Sequence, residues 1–156
     1  MEESPSRPEK VLRGLPAAPG VAEGPAYLLL RGVAKVPKYA ITDPDAEMAR
    51  LRAALEATRV QLEALRVEVA QRMGDSEAAI FEAHLLVLED DLLVGEVEKR
   101  LRRRKLNVDH LFSVQADRYI KAIAKIDDAF LRERAGDIRD VTGRVLDNLM
   151  GQARNN

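Results

Sequence analysis

Between Met48 and Val69 the side chains Met48, Leu51, Leu55, Thr58, Leu62, Leu65 and Val69 recur at alternating steps of three and four residues. Such spacing gathers all seven on one side of a helix, whereas a strand would scatter them over both faces of a sheet. The flanks carry the matching punctuation. Thr42-Asp43-Pro44-Asp45 offers an N-cap oxygen, a proline in the first turn and acids at the positive end of the dipole, and Gly74 closes the far end. The predicted helix covers about 30 residues, or about 45 Å at 1.5 Å per residue. A rod of that length with one apolar seam needs other helices along it, in a hairpin, a bundle or a coiled-coil stalk.

The chain supplies those helices. Asp75 or Ser76 is placed to cap a second one, which carries Ala79–Leu93, bends near Glu89-Asp90-Asp91 and continues through Val97 and Leu101. Its end, Arg100-Leu101-Arg102-Arg103-Arg104-Lys105, sets cations at the negative end of the dipole. Asn107 is placed to cap a third helix bearing Val108, Leu111, Phe112, Gln115, Tyr119, Ala122, Ile123 and Ile126. Asp127 or Asp128 opens a fourth, with Phe130, Leu131, Ile138, Val141, Val145, Leu146, Leu149 and Met150 on its apolar side and Gly151 at its end. Short connections favour antiparallel neighbours, so the expected fold is mainly α, an antiparallel four-helix hairpin or bundle over residues 41–150.

The segment before it does not fit that plan. Residues 1–12 are charged and rich in Pro and Ser and read as a disordered extension, and residues 151–156 as a tail. Gly14–Pro25 is punctuated by Gly and Pro, and Ala26-Tyr27-Leu28-Leu29-Leu30 is the one good strand run. A buried strand needs neighbours for its backbone hydrogen bonds, and the helical remainder offers none.

The second helix is apolar on more than one side. From Ala78 to Leu88 its only polar side chains are Glu82 and His84. One stripe, Phe81, Leu85, Leu88 and Leu92, suits a bundle core, flanked by Ile80 and His84. The other runs through Asp75, Ala79, Glu82 and Leu86, with Ala83 and Val87 beside it. Six acids and no Lys or Arg lie between Asp75 and Asp91. An apolar strip rimmed by charge of one sign has the form of a docking surface, and a helix buried on every side is the alternative.

Composition closes several routes. There is no Cys, hence no disulfide, thiolate nucleophile or Cys-based zinc site, which fits a reducing cytoplasm. The net charge of −1 points to neither nucleic acid nor an anionic membrane, and the Arg-rich run at 100–105 lacks the aromatics of a nucleic-acid patch. No apolar run approaches the roughly 20 residues of a membrane span. His84 and His110 are the only imidazoles. Glu82 lies two residues from His84, where helical side chains diverge, so the two form no acid–base pair. Phe81-Glu82-Ala83-His84 lacks the Glu-x-x-His spacing of a carboxylate-bridged metal site. These features predict a helical docking domain with no catalytic residues and no metal ligands.

Three segments together resemble Enzyme I of the bacterial phosphoenolpyruvate:sugar phosphotransferase system, or phosphoenolpyruvate-protein phosphotransferase. They are GLPAAPGVAEGPA at Gly14–Ala26, AIFEAHLLVLEDDLL at Ala79–Leu93 and LRERAGDIRDVTGRVLDNLMG at Leu131–Gly151. In that cytoplasmic family a histidine takes phosphate from phosphoenolpyruvate and passes it to a histidine of the carrier protein HPr, with magnesium as the cofactor of the whole enzyme. The resemblance implies that residues 13–31 open a mixed α/β phosphohistidine domain and that residues 41–150 are its HPr-docking helical insertion. It also implies that the acceptor histidine and the dimerising carboxy-terminal phosphoenolpyruvate domain lie beyond Asn156, leaving a fragment without turnover of its own.

Carried across position by position, the partner contacts would be Asp75, Ser76, Ala79, Glu82, Leu86, Val87, Asp91 and Arg134, with His84 near the same surface. Five of them, Asp75, Ala79, Glu82, Leu86 and Val87, also fall on the second stripe found from periodicity. Ser76 stands where the family commonly has an acid, and Ala18 where it commonly has Ser. Two other readings compete: a histidine-phosphotransfer bundle with His84 as acceptor, and a purely structural helical hairpin. The first lacks the nearby Lys and small residue such modules use, since Leu85-Leu86-Val87 follow His84.

Overall fold

The computed structural model of the chain describes residues 11, 20–21, 23–25, 36–127 and 129–151, with the backbone alone for 129–133. The strand expected at 26–30, most of the extension at 1–12 and the tail at 152–156 lie outside the described residues. The chain divides into two units, Met1–Val33 and Ala34–Asn156. All the described helices belong to the second.

In order these are α1 (Pro44–Arg72), α2 (Asp75–Ala78), α3 (Ile80–Leu88), α4 (Val94–Arg104), α5 (Val108–Ile123) and α6 (Ala129–Leu149). The mainly helical architecture expected from the seam is what the chain forms, with the second predicted helix divided into α2, α3 and α4. The beginning of α1 is as its residues dictate. Asp43 caps it, its carboxylate accepting from the Asp45 and Ala46 amides at 3.0 Å, and Pro44 takes the first helical position. Met48, Leu51, Thr58 and Leu62 of the seam are buried, and Leu55, Leu65 and Val69 half-buried. Thr58 is a polar residue with both of its hydrogen-bonding roles filled. Its hydroxyl donates to Ala54 O and accepts from Asn148 Nδ2, both at 2.8 Å, which ties α6 to α1.

The core lies where α1, α4, α5 and α6 meet. Leu51, Leu62, Leu93, Val97, Leu101, Val108, Phe112, Val141 and Val145 are sealed from solvent there. Each such side chain contributes about 1.5–3 kcal/mol of burial.

Two helix starts differ from expectation. α2 begins after Gly74, whose φ of 117° suits a residue without a Cβ, and neither Asp75 nor Ser76 caps it with a side chain. Asn107 does stand at the N-cap of α5, but its fully buried side chain serves the segment before α1 (residues 36–40) instead. Its Oδ1 accepts from Tyr39 N and its Nδ2 donates to Pro37 O, each at 3.0 Å. The α5 N-terminus is capped from across the bundle, where Glu47 of α1 accepts from Val108 N at 2.7 Å. The other Glu47 oxygen takes Arg50, which also pairs with buried Asp109 at 3.1 Å and donates to Leu149 O at 3.1 Å. The Glu47 hydrogen bond, and then Asp109, raise the Arg50 pKa further above its already high value.

A third difference is at the break between α3 and α4. Leu92, expected on the core stripe, is 65 % exposed, and Leu93 is wholly buried in its place. The turn resets the register. Asp90 accepts the Leu92 amide on its side chain at 2.8 Å and the Leu93 and Val94 amides on its carbonyl. Gln115 of α5 donates to Leu92 O at 2.7 Å, and the Tyr119 hydroxyl donates to Asp90. The third helix also stops short of its predicted end, at Ile123, leaving Ile126 exposed in the connector.

Burial, with the Asp90 carboxylate beside it, pushes the Tyr119 phenol up from 10.0 to about 12. Both effects disfavour the phenolate, so the folded state prefers the neutral ring. Its contribution to stability is therefore complete below pH 10 and is lost as pH rises through about 12. Ultraviolet titration should show one tyrosine ionising near pH 12, and Tyr119→Phe should flatten the fall in stability between pH 10 and 12.

Candidate partner-docking surface

The outer surface of α3 follows from the way the helix is seated. Leu88 is buried, and Phe81 and Leu85 pack against the core from the same side. At 100° per residue, Ala79, Glu82 and Leu86 then point away, and all three are exposed. Leu86 is 69 % exposed, which is unusual for a leucine with acids on either side of it in the sequence.

Both edges of this face are bounded by neighbouring helices. Towards α1, Arg66 lies 3.8 Å from Glu82 and Arg59 lies 2.8 Å from Glu89. Each pair is one heptad from the other, so α3 runs antiparallel along α1. Towards α6, Val87 is half-buried against the cluster of Ile120, Ala135 and Ile138, which places α6 near Arg134 beside it. Val87 is thus shared between the edge of the outer face and the core. Arg134 is half-buried, and Asp75, Ser76 and Asp91 are exposed.

His84 sits differently. Its side chain is 12 % exposed, edge-on to Phe81 at 5.6 Å between ring centroids, with Nε2 3.7 Å from Asp137 of α6. That is beyond hydrogen-bond range, and Nε2 has no hydrogen-bond partner. The structure brings Asp75, Ala79, Glu82 and Leu86 onto one exposed run and turns His84 inward from it.

A cleft of about 560 Å³ adjoins the run. Arg66, Val67, Ala70 and Gln71 of α1 form one wall, and Asp75, Ala78, Ala79 and Glu82 the other. The α1 wall is missed by a reading confined to α2 and α3. A signal for it exists in Val60 and Val67, two exposed valines seven residues apart on the side of α1 away from its seam. Among the described residues no group of three or more His, Asp or Glu is placed to hold a metal ion. No described helix is long and apolar enough to cross a membrane.

Comparison with known proteins then decides the family. A family model described as PEP-utilising enzyme, N-terminal, matches residues 13–134. The chain belongs to that family. Its similarity to phosphoenolpyruvate-protein phosphotransferase of Priestia megaterium is 39 % identity over 142 residues, covering 91 % of this chain and 25 % of that protein. The chain therefore spans about a quarter of the length of the curated relatives it matches.

Two solved structures share the fold of this chain. A solution structure of Enzyme I superimposes with a TM-score of 0.70 at 29 % identity, over 77 % of this chain and 49 % of that one. The N-terminal domain of a nitrogen-type Enzyme I gives 0.68 at 25 % identity, over 77 % and 50 %. The resemblance to Enzyme I read from three sequence segments agrees with all of these.

Proposed function

We propose that this chain is the HPr-docking part of a phosphoenolpyruvate-protein phosphotransferase, and that the outer face of α3 receives the carrier. The observation that carries this reading is Leu86, a leucine 69 % exposed on a helix whose Phe81, Leu85 and Leu88 turn inward, within a stretch of acids. A protein surface that binds a partner needs an apolar centre and a charged rim, and this face has both. Asp75, Ser76, Ala79, Glu82, Val87, Asp91 and Arg134 would form the rim of that centre, and His84 lies behind it on the side of Asp137. In the whole enzyme the relay of phosphate from phosphoenolpyruvate through a histidine, with magnesium, belongs to other parts of the protein. The role of this part is to bring the carrier's histidine within reach.

Titration of the chain with HPr, followed by calorimetry or by amide chemical shifts, tests the reading. Saturable binding with shifts centred on Ala79–Asp91 is expected, and a lack of binding at low salt would end it. A second expected result concerns phosphate. Incubation with labelled phosphoenolpyruvate and magnesium should leave the chain unlabelled, because the one imidazole on α3 is nearly buried and faces Asp137. Stable label on His84 would favour the phosphotransfer-bundle reading instead.

A further inference from the structure

The acid at the margin of the proposed docking face is already engaged by a cation of the chain itself. Arg66 lies 3.8 Å from Glu82, close enough to attract and too far to hydrogen-bond, with both side chains substantially exposed. One heptad along, Arg59 and Glu89 make the short version of the same contact, at 2.8 Å with a hydrogen bond. The two pairs are equivalent in register but differ in tightness. The loose one stands at the mouth of the cleft whose apolar lining is Val67, Ala70, Ala78 and Ala79.

That combination describes a seat for a long basic side chain. Small apolar residues accept a methylene stem, and the carboxylates of Asp75 and Glu82 meet the charge at the opening. From Asp75 to Glu98 the sequence has no Lys or Arg, so the only cation lining the cleft comes from α1. We propose that Arg66 is a built-in competitor: it occupies Glu82 in the free chain, and a lysine or arginine of the docked partner displaces it and enters the cleft. This rests on α3 being the docking face and adds α1 to the interface. Competition of this kind lowers affinity without removing specificity, which suits a carrier that must leave after each transfer.

Three variants, each titrated with purified HPr at low and at physiological salt and each melted in parallel, test it. Arg66→Gln frees Glu82 and should tighten binding by about three- to fivefold at low salt, the size of a lost surface ion pair. Ala70→Leu narrows the cleft from its α1 wall and should weaken binding about tenfold. Val67→Ser, at a half-exposed position that spares the fold, should weaken it in the same sense by removing the apolar wall. Unchanged or weaker binding by Arg66→Gln overturns the proposal, as does wild-type binding by both cleft variants. Leu86→Asp separates the two levels. If it abolishes binding while the α1 variants behave as wild type, the competitor role alone is wrong; if it binds normally, the docking face itself is wrong.

Discussion

Leu86→Asp should reduce the affinity for HPr about thirtyfold or more while leaving the melting temperature nearly unchanged. The apolar side chain stands on solvent in the free chain, so replacing it removes little from the fold. In the complex it would sit at the centre of a desolvated patch. A central apolar anchor lost and a charge desolvated in its place together cost about 2 kcal/mol or more. Two residues further along, Leu88→Ala should do the reverse. Leu88 is 5 % exposed and packs in the main core, so truncation should cost about 2–5 kcal/mol of folding stability. The contrast is the measurement: binding isotherms and thermal melts on the same two proteins. Normal binding by Leu86→Asp, or a melt as depressed as that of Leu88→Ala, would mean that the two faces of α3 are assigned the wrong way round.

The second large effect is expected at the other end of the bundle. Glu47→Ala should destabilise the chain by about 3 kcal/mol, more than a surface acid ever does. One carboxylate oxygen of Glu47 caps α5 through the Val108 amide, and the other holds Arg50. Its removal leaves a buried amide unpaired at the positive end of a helix, and leaves Arg50 with only Asp109 and the Leu149 carbonyl. Glu47→Gln keeps one acceptor and should recover part of the loss. Denaturant unfolding of the two variants, followed by helical circular dichroism, would show it; a loss below about 0.5 kcal/mol for the alanine variant would reduce this contact to an ordinary surface pair.

Glu47 also marks where the sequence stops being legible. The seam of α1 is plain because its period is long and its residues are apolar, and the core that forms along it follows. Glu47 sits one position before Met48 and has the look of a solvated first-turn acid. Only the approach of α5, 61 residues later in the chain, makes it a cap. Asn107 misleads for the related reason that its side chain is recruited by the connector at Pro37 and Tyr39, a long-range contact with no local signature. The exchange of Leu92 for Leu93 is a register error that one turn at Asp90 suffices to cause, since a break resets the helical phase. The outer face of α3 was readable because Leu86 is out of phase with Phe81, Leu85 and Leu88 by more than a quarter-turn. The α1 wall of the cleft is carried in the sequence only by Val67, seven residues after Val60 on the side away from the seam, because Arg66, Ala70 and Gln71 are what any exposed helix carries.

The contact between Arg50 and the Leu149 carbonyl has a use in protein engineering. Arg50 lies within two turns of the start of α1, and Leu149 ends α6, so the chain enters and leaves the helical unit at neighbouring points. Ends so placed are those for which circular permutation succeeds. Joining Gly151 back to Val36 by a glycine-serine loop, which keeps Pro37 and Tyr39 on Asn107, and opening the chain at the exposed Lys125-Ile126-Asp127 turn, would give a permuted domain with α6 leading. In that molecule the α3 face would be untouched, and its termini would be free for display or for grafting into an unrelated host.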